Sequence, residues 1–276
     1  MIWKSNIESM KKILLVITAL FTSQIFAQKA EEIDLSHWKL ELPSGYSASE
    51  WKLSNFQKDR FAKPFFYLDS VDGSLVMEAY PVTGTSKAKY TKTSLREQLT
   101  AGESSNNWSM AEGGTLVADF EVTKMSKENP KKYHRTILFQ IQGRTNEAQE
   151  EEYALEKAIN LPLITVYWQD ERIRVQRKVL KDVATMNKEL VLKDSWESDA
   201  GRFFNKKIGF EKAHIEIKVQ EGRVEIHLND QKPIVYRDAN IRKWPLENYF
   251  IAGNYLQTRV VESHAIVKYH KLQVIH

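Results

Sequence analysis

The chain of 276 residues contains no cysteine. A lipid anchor built on an N-terminal cysteine and a disulfide framework are therefore both excluded. A membrane-length apolar run is missing too. The one pronounced stretch, "ILLVITALF" at 13–21, is much shorter than the about 20 residues that a spanning helix needs. Charge of one sign is scarce: 40 Lys and Arg face 36 Asp and Glu, a net +4. Part of that excess is Lys4, Lys11 and Lys12 against Glu8, ahead of the apolar stretch. A nucleic-acid binder would carry a clear basic stripe, and none is visible. Repeats and low-complexity linkers are absent, and helical periodicity is rare. Cohesion must come from core burial, and a mature chain of this size hides about three-quarters of its unfolded surface.

What is present begins with the N-terminus. Basic residues, a short apolar core and "TSQIFAQ" ending on a small residue form the pattern of a secretory signal, with "MKKILLVITALF" from Met10 as its cleanest version. Cleavage is expected after Ala27, which leaves 28–276 as a single domain.

Beyond that point period-two alternation dominates. It predicts strands at 74–80, 115–122, 135–143, 163–168, 172–179, 214–220, 223–229, 233–236, 249–257 and 265–275, with Glu221-Gly222 as a hairpin turn. Residues 146–158, "NEAQEEEYALEKA", are the best helix candidate and read as a surface insertion. Many strands and few helices define an all-β sandwich or barrel. On 135–143 alternation assigns Ile137, Phe139 and Ile141 to the core. Thr136, Leu138, Gln140 and Gln142 then take the open face. Ile215, Ile217 and Val219 supply core from another strand.

Three strips share an unusual outward chemistry. "YFIAGNYLQ" (249–257) shows Tyr249, Ile251, Gly253, Tyr255 and Gln257 on one side. "YTKTSLREQL" (90–99) buries Thr93, Leu95 and Leu99 and presents Lys92, Ser94, Arg96 and Gln98. The third strip brings Gln140 and Gln142. Together they offer cations, amides and a phenol, and few acids. Glycoside hydrolysis wants two carboxylates at a set separation, and only Glu32 and Asp34 lie close in sequence. The set suits β-elimination on a sugar acid. Arg and amide donors mask the carboxylate and stabilise the enolate formed as C5 loses its proton. A tyrosine exchanges protons with C5 and O4. A phenol titrating near 10 needs cationic neighbours to act as a base, and Arg96 or Lys92 is expected to supply that field. Neither metal nor cofactor is called for. Each residue alone is equally at home as packing or solvated surface; the agreement of three strips carries the reading.

The same segments resemble the jelly-roll alginate lyases of polysaccharide lyase family 7. "IDLSHWKLELP" (33–43) is similar to the family's "LxxWKLxLP" opening, "KTSLRE" (92–97) to its "R-[ST]-E-L-R-E" strand, "QIQG" (140–143) to "Q-[IV]-H-G", and "YFIAGNYLQ" to "YFKAGxYxQ". The resemblance implies a β-jelly roll of two antiparallel sheets with a concave face for the polysaccharide. It implies catalytic roles for Tyr255, Gln140 and Arg96, and substrate contacts from Lys92, Gln98, Gln142, Tyr249, Asn254 and Gln257. The substrate it implies is a polyuronate such as alginate; the signal pattern adds export, and a monomer is expected.

The chain departs from the pattern at four points. Lys92 replaces the first family arginine, Ser94 the glutamate, Ile251 the lysine and Gln142 the histidine. Without that histidine, elimination is expected to run syn through Tyr255 alone, which favours mannuronate blocks. His134 on the same strip, His264 and His270 are the candidate replacements. A lyase for another polyuronate such as glucuronan, a non-catalytic carbohydrate-binding jelly roll and a glycoside hydrolase are the competing readings.

Overall fold

The structure, a computed structural model, describes residues 33–43, 50–51, 64–81 and 90–276. The expected signal segment 1–27 lies outside them. Residues Glu31–His276 cluster as one compact unit.

The strands, in chain order, are β1 (Trp38–Glu41), β2 (Glu50–Trp51), β3 (Phe66–Leu68), β4 (Leu75–Ala79), β5 (Lys92–Glu97), β6 (Gly114–Met125), β7 (Lys127–Asn129), β8 (Lys132–Tyr133) and β9 (Thr136–Arg144). They continue as β10 (Asn160–Gln169), β11 (Arg172–Leu180), β12 (Trp196–Ser198), β13 (Arg202–Phe203), β14 (Ala213–Gln220), β15 (Arg223–Leu228), β16 (Ile234–Tyr236), β17 (Glu247–Leu256) and β18 (Ala265–Ile275). The front sheet runs β12-β11-β10-β9-β17-β5-β1-β2, with β13 beside β11; the back sheet runs β16-β15-β14-β6-β18-β4-β3. All pairings are antiparallel. Two large antiparallel sheets face to face make a jelly-roll sandwich, as the alternating pattern requires.

The core lies between the sheets. Leu95, Phe139, Ile141, Val166 and Phe250 from the front meet Leu116, Phe120, Ile217, Val267 and Tyr269 from the back. The Glu221-Gly222 turn joins β14 to β15, and Gly222 takes the positive φ of 65° that such a turn demands. The expected helix at 146–158 shrinks to α1 (Glu147–Glu152). Asn146 and Gln149 form a capping box at its start, and Ala154, with positive φ, ends it.

Alternation fails at one place in β9. Leu138 belongs to the core cluster, whereas Ile137 does not. Thr136 also faces inward, where its hydroxyl donates to Asn254 Oδ1 at 2.7 Å. The cause is a pair of register shifts. Phe139 to Ile137 on β9 spans only Val166 to Tyr167 on β10, but Ala252 to Tyr255 on β17. An extra residue turns the side chains that follow it to the other face, so Ile137 looks outward. Tyr269 of the back sheet pins the irregularity: its buried hydroxyl lies 2.7 Å from Gly253 O and 3.2 Å from Leu138 O.

Candidate active site

On the open face of the front sheet, side chains line up in rows that cross the strands. One row reads Lys39, Arg96, Ile251, Gln140, Thr165, Gln176 from β1 to β11. A second reads Lys92, Tyr255, Ile137, Tyr167, Arg174, Phe203 from β5 to β13. The shifts just described set their spacing. Four residues separate them on β5 and β17, about 13 Å, but two on β10 and β11, about 7 Å. The floor is therefore a wedge. Its wide side holds an additional short row, Glu41, Ser94 and Gly253. Gly253 is required there, because a Cβ would meet Thr93 O and Ser94 Cβ at 2.7 Å.

Arg96 and Gln140 thus stand either side of Ile251, with Tyr255 further along the same face. Arg96 is only 5 % exposed. Its guanidinium lies 3.8 Å from the centre of the Tyr249 ring and donates to Ser104 O at 2.7 Å and Asn107 Oδ1 at 2.9 Å. That points it away from Tyr255, towards the row of Tyr249 and Gln142. Burial pushes the Tyr249 phenol up, and Arg96 opposes the shift. Gln140 makes one long contact, Nε2 to Thr165 Oγ1 at 3.5 Å, which leaves most of its amide capacity unspent.

Tyr255 is half-buried and sits edge-on to Tyr90, with ring centres 6.3 Å apart. The expected cationic field does not act on it. Its pKa is raised, first by burial and then by the neighbouring phenols of Tyr90 and Tyr167. Lys92 stands directly across but is engaged by Glu41, and Arg96 is turned elsewhere. The phenol is neutral at rest, which suits a proton donor better than a free base.

Two further expectations need correction. Asn254 is fully buried and faces the core: its Nδ2 donates to Met77 O and Ala265 O, both at 2.9 Å, and its Oδ1 accepts from Thr136. It ties β17 to the back sheet and touches no open surface. Gln98 shares the Arg96 face, but its amide is spent on the adjoining loop, on Ser104 Oγ at 3.2 Å and Gly102 N at 3.2 Å. Gln142 is half-buried in the row with Tyr249. Gln257 donates to Tyr255 O at 3.0 Å.

The replacement histidines stand elsewhere. His264 meets Glu78 Oε2 at 2.7 Å on the back sheet, and His270 on β18 lies 3.3 Å from Glu121 on β6. His134 is buried beside the β7–β8 ribbon, with Glu128 and Lys132 as its charged neighbours, and burial lowers its pKa. Among the described residues one carboxylate–imidazole group has cation-like spacing: Asp72, Glu121 and His270, with ligand atoms within 4.8 Å of one another. It lies on the back sheet, where the Lys268 ammonium already takes Asp72 at 3.1 Å.

The strips also missed residues. Arg135 and Arg174 flank the Tyr167 ring at 5.1 and 5.9 Å, so the open face holds a second cation–phenol stack. Burial raises the Tyr167 pKa and both arginines oppose it. Only strand pairing brings these residues next to Tyr255. Glu97, the inward neighbour of Arg96, was passed over as well. It is 2 % exposed, accepts from Trp108 Nε1 at 3.0 Å and Phe250 N at 2.7 Å, and pairs with His276 at 2.5 Å.

A jelly roll whose open sheet face carries arginines, amides and a neutral phenol is what a polysaccharide lyase presents to its polymer. The chain matches the family model for alginate lyase over residues 33–276, and it is a member of that family. A search of curated proteins finds no match. Among solved structures, a tyrosine-to-phenylalanine variant of the family 7 alginate lyase A1-II′, in complex with product (GGG), is 25% identical with a TM-score of 0.69, covering 90% of this chain and 98% of that one. A histidine-to-asparagine, tyrosine-to-phenylalanine variant of the same enzyme, in complex with substrate (GGMG), is 25% identical with a TM-score of 0.68, covering 91% and 97%. The alginate lyase from Klebsiella pneumoniae, at 19% identity and a TM-score of 0.63 over 90% and 98% of the two chains, shares the fold.

Proposed function

We propose that the enzyme cleaves mannuronate-containing stretches of alginate by syn β-elimination, as an exported monomer. The observation that carries this is the open face itself: Gln140 shares a row with Arg96, a neutral phenol stands at 255, and a glutamine occupies 142 where the family pattern has a histidine. The oligosaccharide complexes of A1-II′ support a polyuronate as substrate. The basic, apolar and small-residue succession ending at Ala27 supports export.

In this reading the sugar carboxylate is met by the Gln140 amide, and the Arg96 guanidinium adds its positive field from beside Tyr249. They stabilise the enolate that develops as C5–H breaks. Tyr255 gives its hydroxyl proton to O4 while its oxygen takes the C5 proton. The C4–O4 bond breaks, a C4=C5 double bond forms, and the phenol ends as neutral as it began. A raised phenol pKa is compatible with this exchange, because no standing phenolate is required.

The test is a panel of polymannuronate, polyguluronate and glucuronan, followed by near-ultraviolet absorbance of the unsaturated ends and by product sizing. Fastest cleavage of polymannuronate is expected. Activity confined to polyguluronate would overturn the syn route. Faster cleavage of glucuronan would move the substrate to that polymer, reducing ends without a chromophore would indicate hydrolysis, and binding without product a carbohydrate-binding module. N-terminal sequencing of the exported protein checks the cleavage site.

A further inference from the structure

The short row on the wide side of the wedge contains a carboxylate where the substrate is itself anionic. Glu41 projects from β1 onto the open face, and its Oε2 is held by Lys92 Nζ and accepts from Ser94 Oγ at 3.2 Å. Pairing places Ser94 directly across from Glu41 on one side and Gly253 on the other. Lys92 is directly across from Tyr255. Two donors therefore converge beside the reactive phenol in the way a bound carboxylate would want, and a side chain of the protein fills the place. The pair is open to solvent, with side chains 35% and 21% exposed for Lys92 and Glu41, so an incoming sugar reaches it. No feature of sandwich packing requires it, because the inward neighbours Leu40, Thr93 and Leu95 are fully buried without its help.

We infer that Glu41 is a specificity-determining residue: it occupies a uronate-carboxylate position on Lys92 and Ser94, and so disfavours a charged unit next to the uronate on which Tyr255 acts. A unit that presents its carboxylate must displace Glu41 or accept a like charge next to it, and both cost affinity. A unit whose carboxyl is masked or absent meets a neutral pair and loses nothing. The substrate class favoured at this site is a polyuronate interrupted by uncharged units. This rests on the lyase reading above and narrows it.

The experiment compares wild type, Glu41→Gln, Lys92→Met and the double variant on polymannuronate, and on the same polymer with part of its carboxyls reduced to alcohols. Glu41→Gln is expected to raise kcat/KM on the unmodified polymer by about fivefold at low salt, mostly through KM, with the gain fading at high salt. On the reduced polymer the gain should shrink towards none. Lys92→Met should cost more in the Glu41→Gln background than in wild type, because only there is the ammonium released. Equal gains on both polymers, equal costs in both backgrounds, or a loss of kcat/KM in Glu41→Gln would overturn the inference. If wild type cleaves no polyuronate, the lyase reading fails by itself. Calorimetric affinity of the four proteins for a mannuronate oligomer then reads the same coupling without turnover.

Discussion

The two sheets of this sandwich use the same alternation and present opposite chemistries to the outside. Outward residues of the back sheet pair with one another: His214 with Asp119 at 2.6 Å, Lys218 with Glu216 at 3.0 Å, Arg223 with Glu225 at 2.5 Å, and Lys268 with Asp69 at 2.6 Å. Charge in these pairs is balanced locally. The front sheet places guanidiniums over phenols instead, Arg96 on Tyr249 and Arg135 on Tyr167, and leaves the Gln140 amide with one long contact. A cation stacked on a ring is held in position while keeping its charge uncompensated. A face that satisfies itself is a surface, whereas a face that fixes its donors but withholds their partners is a site.

The contrast is broken most directly at Tyr255. Replacement by Phe should lower lyase turnover by about a hundredfold to ten-thousandfold, the range for losing a general acid–base group, with the melting temperature almost unchanged. A variant that kept most of its activity would remove the phenol from the chemistry. Next in size is Asn254→Ala. It strands the Thr136 hydroxyl and two carbonyls, and should cost about 2–4 kcal/mol in denaturant unfolding. Were Asn254 instead a substrate contact, KM would rise with stability intact. A charge pair with a buried carboxylate and a side chain 30% exposed on its imidazole partner should behave differently from either face. Chiefly through its hydrogen bond to Glu97, His276 has a pKa raised above the ordinary value near 6.5. Its stabilisation is therefore complete below about pH 6.5 and is lost as pH rises through the raised value. The stability gap between wild type and His276→Gln should narrow over that alkaline approach, and a gap independent of pH would show that the pair does not titrate. The smallest effect belongs to the back sheet: Lys218→Ala should stay within about 0.5 kcal/mol and leave turnover untouched.

Much of this was legible in the sequence because alternation is a local property. The strand expected at 265–275 is β18, Ala265–Ile275, and 214–220 is β14 within one residue. Parity on 249–257 alone would have placed Asn254 inside; its polar side chain and the family motif drew it outward, since an amide reads as a ligand contact until its partners on another sheet are known. The bulge at Leu138 was invisible for a related reason. The extra residue lies on β9 when read against β10 and on β17 when read against β9, so strict alternation sent Ile137 inward and Leu138 outward. Arg135, Tyr167 and Arg174 are distant from Tyr255 in the chain and meet it through cross-strand pairing. The Glu41–Lys92 pair likewise joins strands 51 positions apart.

The wedge also gives the floor a sense of direction. A polysaccharide has distinct reducing and non-reducing ends, and unevenly spaced rows add a geometric asymmetry to the one that the side chains themselves supply. Here the rows open by two residues from β10 to β5, so units bound at one margin are splayed and those at the other crowded. Between these two rows the change in spacing is held in place by a tyrosine of the opposite sheet, whose hydroxyl meets Gly253 O and Leu138 O.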